Sequence, residues 1–124
     1  MDFSKLNGLV PAVIQDAVSD QVLMVGFMNQ EAFDRTLASG YATFFSRTRN
    51  ALWMKGETSG NRLRVTSVLV DCDDDTVLLR VAREGDGNVC HTGQRSCFRE
   101  FDVARSGERS AESEPRRAKS GERP

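Results

Sequence analysis

Two apolar runs, Leu63 to Asp71 (LRVTSVLVD) and Thr76 to Arg83 (TVLLRVAR), flank the acidic stretch Asp71-Cys72-Asp73-Asp74-Asp75. Runs rich in Val and Leu, bounded by turn-forming Asp, read as β-strands. Four carboxylates and a thiol in five consecutive residues cannot lie in a core. Like charges this close repel, so the stretch either stays solvated in a turn or is neutralised by a cation. The chain is thereby expected to run strand, acidic turn, strand.

The rest of the ordered region extends this pattern. Leu9 to Asp16 and Val22 to Met28 read as two strands joined through the polar Val18–Gln21. Asn29 is a good N-cap for a helix through QEAFDRTLAS, with Gly40 at its C-terminal end. Phe33, Thr36 and Leu37 are expected to form its buried face. Tyr41 to Thr48 reads as a strand, Leu52 to Lys55 as a short one, residues 84–97 as a Gly-containing loop and Phe98 to Val103 as a last strand. No internal repeat is present. The expected fold class is α+β, a mainly antiparallel sheet with one or two helices. Residues 104–124 (ARSGERSAESEPRRAKSGERP) carry almost no apolar side chains and read as a disordered polar tail, leaving a domain over 1–103.

Bulk properties exclude several classes. The formal net charge is −1, which gives no general affinity for nucleic acid or an anionic membrane. No apolar run approaches the roughly 20 residues of a membrane-spanning helix, and the start lacks the pattern of a signal peptide. A cytoplasmic location is expected. Three cysteines, an odd number, argue against a disulfide framework and leave metal ligands or inert core residues as their roles.

Three clusters carry chemistry. On a regular strand Asp71, Asp73 and Asp75 would share one face and Cys72 the other, but Asp71 and Asp75 would stand roughly 13 Å apart. A hard cation holds its oxygens at about 2.0–2.5 Å, so the three carboxylates can share Mg²⁺ or Ca²⁺ only across a bend. The plainer alternative is an exposed acidic turn. An EF-hand is excluded, because Thr76 and Ala82 occupy the positions where Gly and Glu are required. The second cluster, Cys90-His91-Thr92-Gly93-Gln94-Arg95-Ser96-Cys97, places two thiols in a Gly-containing loop beside the single histidine. With Cys72 these make three soft ligands, the set of a zinc site with one open position. His91 is either a fourth, closing ligand or a free proton carrier near neutral pH. The third cluster, Trp53 to Asn61 (WMKGETSGN), offers Lys55, Gly56, Thr58, Ser59 and Gly60 in one turn, suited to a phosphate or carboxylate or simply forming a polar loop. It is not a P-loop. Arg47, Arg49 and Arg95 raise the same choice between an anion and solvent.

Together, GLVPAVIQD, VLMVGFMN, SRTRNALWMKGETSGN, LVDCDDDTVLLRV and CHTGQRSCF resemble, in order, the motifs of the phosphoribosyl-AMP cyclohydrolase family over about residues 8–98. W-x-K-G-x-T-S-G, D-C-D-x-D and C-H-T-G-x-x-S-C are together highly specific. The resemblance implies a histidine-biosynthesis enzyme that opens the adenine N1–C6 bond of N1-(5-phosphoribosyl)-AMP by hydrolysis. It implies an intertwined homodimer with one Zn²⁺ and one Mg²⁺ per subunit. Cys72, Cys90 and Cys97 match the zinc ligands, the latter two expected from the partner subunit, and Asp71, Asp73 and Asp75 match the magnesium ligands. His91 becomes the candidate to take a proton from water or to deliver one to the departing nitrogen. Lys55, Gly56, Thr58, Ser59, Gly60, Arg47 and Arg49 become candidates for phosphate contact. Many bacterial members are fused to a pyrophosphohydrolase, for which the segment after residue 103 is too short and too polar. A single-activity enzyme is therefore expected.

The competing class is a non-catalytic zinc-binding or structural module. It accounts for the thiols but gives the Asp triplet and the Lys55 turn no common purpose. A zinc nucleobase deaminase requires H-x-E and P-C-x-x-C, and neither is present.

Overall fold

A computed structural model describes residues 1–104. The polar segment expected to be disordered therefore lies, from residue 105 on, outside the described residues. The elements in chain order are β1 (Val10–Asp16), β2 (Val22–Met28), α1 (Gln30–Ser39), β3 (Thr43–Ser46), β4 (Ala51–Met54), β5 (Leu63–Val70) and β6 (Val77–Arg83). The architecture is α+β with one helix among the described residues.

Four strands form a sheet in the order β2-β1-β6-β5, and β3-β4 form a separate ribbon. Neighbours pair antiparallel except β1 and β6, which are parallel. The parallel register sets Ala12 beside Val77, Ile14 beside Leu79 and Asp16 beside Val81. Alternation explains the pairing: Val10, Ala12 and Ile14 of β1 and Val77, Leu79 and Val81 of β6 are all buried, so in this register the buried side chains line one face. Leu23, Met28, Ala32 and Phe44 complete that core, which brings α1 and the β3-β4 ribbon onto the sheet. The ribbon seats closely: a Cβ at Gly26 would stand 2.6 Å from the Phe44 ring.

The helix follows from its ends. Asn29 Oδ1 accepts the Ala32 N–H at 2.8 Å, and Gly40 is left-handed (φ 83°) with its N–H on the Thr36 carbonyl. Its buried face differs from expectation. Ala32 and Thr36 are buried, Phe33 is half-buried and Leu37 is exposed. Thr36 is drawn inward by its hydroxyl, which donates to the Ala32 and Thr43 carbonyls and accepts the Thr43 N–H.

The last expected strand is absent: Phe98 to Val103 forms no ladder among the described residues. Phe98 and Phe101 lie three apart, which breaks the two-residue period of a strand, and the Phe98 N–H is engaged by the Ser96 hydroxyl at 2.9 Å. No helix among the described residues is long and apolar enough to cross a membrane.

Candidate active site

The acidic turn closes β5 onto β6. Asp71 N–H donates to the Thr76 carbonyl at 3.0 Å, and Asp71 Oδ1 accepts the N–H groups of Asp75 and Thr76 at 3.0 and 3.2 Å. Asp74 takes a left-handed φ of 64°, which Asp tolerates. This supplies the bend that a straight strand lacks. One carboxylate oxygen each from Asp71, Asp73 and Asp75 now lies within 4.8 Å of the others. The electrostatics are those of crowded anions. A side-chain hydrogen bond with Asp75 raises the Asp73 carboxyl above its ordinary value, and the charge of Asp71 adds to it. The hydrogen bond from Lys5 holds Asp75 down. Lys5 Nζ lies 3.1 Å from Asp75 and 3.5 Å from Asp73.

The thiol loop is built at the opposite end of β6. Val89 N–H donates to the Arg95 carbonyl, Cys90 N–H to Gln94 and Gly93 N–H to Cys90, at 3.1, 3.0 and 2.9 Å. This tight loop presents His91 at its exposed tip. Its return limb is fastened to the start of β2. The buried Ser96 hydroxyl donates to the Val22 carbonyl at 2.8 Å, and Cys97 N–H donates to Leu23 at 2.7 Å. Cys90 and Cys97 lie close enough for each thiol to influence the other's ionisation. The Thr92 hydroxyl, 3.1 Å from Cys90 Sγ, together with its N–H and more remotely Lys55, lowers the Cys90 thiol below its ordinary value. Burial, and then the charge of Cys90, pushes Cys97 up. The Cys90 thiol is thus the one of the pair that more readily gives up its proton, and the thiolate is the form that acts as ligand or nucleophile.

An ion pair between the buried Asp16 and the half-buried Arg83 props this loop from below. Asp16 Oδ1 accepts from Arg83 Nε at 3.0 Å, with the Asp16 side chain 4% exposed. Arg83 Nη1 also donates to the Gly87 carbonyl at 2.7 Å. Burial would raise Asp16, but hydrogen bonds from Ser19 and then the Arg83 guanidinium outweigh it and hold the carboxyl down to about 2.

A cavity of about 370 Å³ opens between this loop and the turn after β4. Lys55, Ser59, Asn61, Asn88, Cys90 and His91 are among its lining residues. The structure therefore brings Lys55, Ser59, Cys90 and His91 to one cavity. Gly56, Thr58 and Gly60 shape the same turn without lining the cavity, with Gly56 and Gly60 at φ 80° and 84°. Arg47 and Arg49 stand in the β3-β4 turn, Arg47 over the Phe27 ring at 4.2 Å; neither lines the cavity.

Cys72 is placed elsewhere. It is exposed in the acidic turn, with the seven residues of β6 between that turn and the thiol loop. At about 3.3 Å per residue this strand separates its two ends by about 20 Å. Among the described residues of one chain, the three carboxylates are the one set of three potential ligands whose atoms converge within 4.8 Å. Residues that the motifs alone did not single out include Asn61, Asn88 and Asp86 at the cavity, Thr92 on the Cys90 thiol and Lys5 on the carboxylates. Thr92 lies within the Cys90–Cys97 loop, and its hydroxyl two residues from a thiol is the available signal. Lys5 has no local signal, because its partners are 68 and 70 residues away.

Comparison with known proteins matches residues 24–99 to the family model for phosphoribosyl-AMP cyclohydrolase. The chain is 58% identical over 98 residues to the phosphoribosyl-AMP cyclohydrolase of Solibacter usitatus, covering 79% of this chain and 77% of that protein. It is 54% identical over 100 residues to the phosphoribosyl-AMP cyclohydrolase of Desulfatibacillum aliphaticivorans, covering 81% and 79%. It is 56% identical over 100 residues to the histidine biosynthesis bifunctional protein HisIE of Bacteroides thetaiotaomicron, covering 81% of this chain. The match spans 48% of that longer relative's length.

Proposed function

The chain belongs to the phosphoribosyl-AMP cyclohydrolase family, and from that premise we propose that it hydrolyses the adenine ring of N1-(5-phosphoribosyl)-AMP in histidine biosynthesis. Water adds at C6, the N1–C6 bond breaks, and N1 gains a proton. The product is the formimino-aminoimidazole-carboxamide ribonucleotide, whose carboxamide oxygen comes from the water. The observation that carries this reading is the convergence of Cys90, His91, Lys55 and Ser59 on one cavity.

The donor sets fit two metals. Cys90 and Cys97, adjacent and with one thiol lowered, would hold zinc with Cys72 as third ligand, leaving the open position of a catalytic site. Asp71, Asp73 and Asp75, converging within 4.8 Å, would hold Mg²⁺ through oxygen. Zinc there would acidify water from its bulk pKa toward about 7. The protein residues supply the remainder. His91, on an exposed tip beside the cavity, takes the proton of the attacking water and returns it to N1. Lys55 and Ser59 bind and orient a phosphate arm, a role in which a fixed ammonium is worth most where water is excluded. Arg47 and Arg49 stand farther out as candidates for the second arm.

The separation of the thiols supports reading the zinc site as completed by a second copy of the chain. Cys72 at one end of β6 cannot meet Cys90 and Cys97 at the other end of the same chain. Two further features support this reading. β5 is an edge strand, and along Val68, Leu69 and Val70 both of its faces are exposed, at 36%, 47% and 43%. Phe98, Phe101 and Val103 are also exposed. Apolar edges of this kind are normally covered, and a homodimer that exchanges Cys72 across its interface covers them.

The test is an ultraviolet absorbance assay with the purified protein, N1-(5-phosphoribosyl)-AMP, zinc and magnesium. Turnover that stops on chelation and returns with zinc is expected. A folded, zinc-loaded protein without turnover would overturn the assignment in favour of a binding or structural role.

A further inference from the structure

We propose that Asn61 is a positioning residue that locks the Lys55 turn to the Cys90–His91 loop and so fixes the spacing of the two cavity walls. The inference rests on the reading of that cavity as the reaction site. Asn61 ends the turn that carries Lys55 and Ser59, and its own N–H donates to the Ser59 hydroxyl at 3.2 Å. Its side-chain amide reaches across to the other wall. Nδ2 donates to the Asn88 carbonyl at 3.2 Å, and Oδ1 accepts the Asp86 N–H at 3.1 Å. The two partners lie two residues apart on the strand-to-loop exit. The amide therefore pairs with them as a neighbouring peptide unit would in a ladder, one donor and one acceptor each satisfied. The flanking main-chain bond, Glu84 N–H to the Arg62 carbonyl at 2.9 Å, extends the same seam.

Both loops are shaped to let this amide in. Gly85, at φ 70°, leaves room that a methyl would take, since a Cβ there would collide with Asn61 Oδ1. Gly56, at φ 80°, faces the Asn61 main chain, and a Cβ there would collide with its carbonyl. Gly85 thus leaves room for the Asn61 side chain and Gly56 for its main chain, each at a positive φ that glycine adopts without strain.

The consequence is chemical. Lys55 and Ser59 on one wall orient the substrate, while on the other Cys90 would hold the zinc and His91 moves the proton of the attacking water. A misplacement of about 1 Å between such groups costs up to about a hundredfold in rate. Stability depends far less on the lock, because Asp86 is exposed and water replaces a lost bond to it.

The experiment compares Asn61→Ala and Asn61→Asp with the unaltered full chain, by hydrogen exchange, thermal unfolding and steady-state kinetics. Asn61→Ala is expected to speed exchange in residues 85–93 about five- to tenfold while exchange in β1 and β6 is unchanged. Its kcat is expected to fall about 10- to 100-fold with KM within about threefold, and its melting temperature to move by less than about 4 °C. Asn61→Asp keeps the acceptor for Asp86 and falls between the two. An unchanged kcat, a kcat loss without faster exchange in 85–93, or an effect on KM alone would overturn the inference. Absence of turnover in the unaltered chain would instead sink the assigned reaction, and the exchange data would still decide whether the lock exists.

Discussion

The two proposed ligand sets of this chain differ in how far one copy brings them together. The three carboxylates converge within 4.8 Å because a single tight turn bends them together. The three thiols are divided between the two ends of β6, with Cys72 in the acidic turn and Cys90 and Cys97 in the loop beyond Arg83. A hard-ion site can be written into five consecutive residues, since carboxylates tolerate solvent and need only a bend. In the proposed reading, a soft-ion site divided by a strand is finished by the assembly of two copies. In that reading Cys72 lies at the sequence position of the carboxylate set and is proposed to serve the thiol set.

The comparison is broken most severely at Cys72 itself. Cys72→Ser is expected to remove zinc from the protein and lower turnover by more than about a hundredfold, exceeding the loss typical of a residue that merely supports a ligand. Metal analysis and the absorbance assay check this, and magnesium binding should survive. Next, Leu69→Asp places a charge on the exposed apolar edge of β5 without disturbing the core of a single chain. It is expected to give a folded monomer by light scattering that has lost zinc but still binds Mn²⁺ at the carboxylates. Third, Asp73→Asn should weaken Mg²⁺ or Mn²⁺ binding by about tenfold or more while leaving zinc content unchanged, as read by calorimetry and metal analysis.

The smallest effect concerns the prop beneath the thiol loop. Asp16 is held at about 2 when folded, against an ordinary 3.8. The folded value is the lower one, so the stabilisation is fully present above about pH 4 and is lost as pH falls through about 2. It amounts to about 2 kcal/mol. Urea unfolding at pH 6 and pH 3 should show this loss beginning, and Arg83→Met should reduce the pH dependence. Equal slopes in both proteins would contradict the role given to the ion pair.

Local features of the fold were legible in the sequence. Asn29 and Gly40 bracket α1 as caps, because capping uses residues within a few positions of each other. β2 runs from Val22 to Met28 as its apolar run indicates. The parallel pairing of β1 with β6 was not legible, since alternation says which side chains face inward but not which strand lies beside which. Phe98 to Val103 carried strand-like residues without a strand's period, and composition alone misled there. Leu37 counted as apolar, yet the Thr36 hydroxyl found better partners and turned the helix toward them. At the site, the motif residues Lys55, Ser59, Cys90 and His91 were legible because each carries unusual chemistry. Asn61 and Arg83 were less so, because their work is to hold main-chain groups of a distant loop, and the residue type alone does not reveal that task.

The central claim is that the zinc site is shared between two copies, and complementation tests it most directly. Cys72→Ser and the double variant Cys90→Ser/Cys97→Ser are each expected to be inactive. Mixed in equal amounts and reassembled, half of the dimers would be mixed, each carrying one intact site of two, so about a quarter of the native activity and zinc content should return. Mixing that restores nothing, although mixed dimers form, would place all three thiols of a working site in one chain and contradict the account.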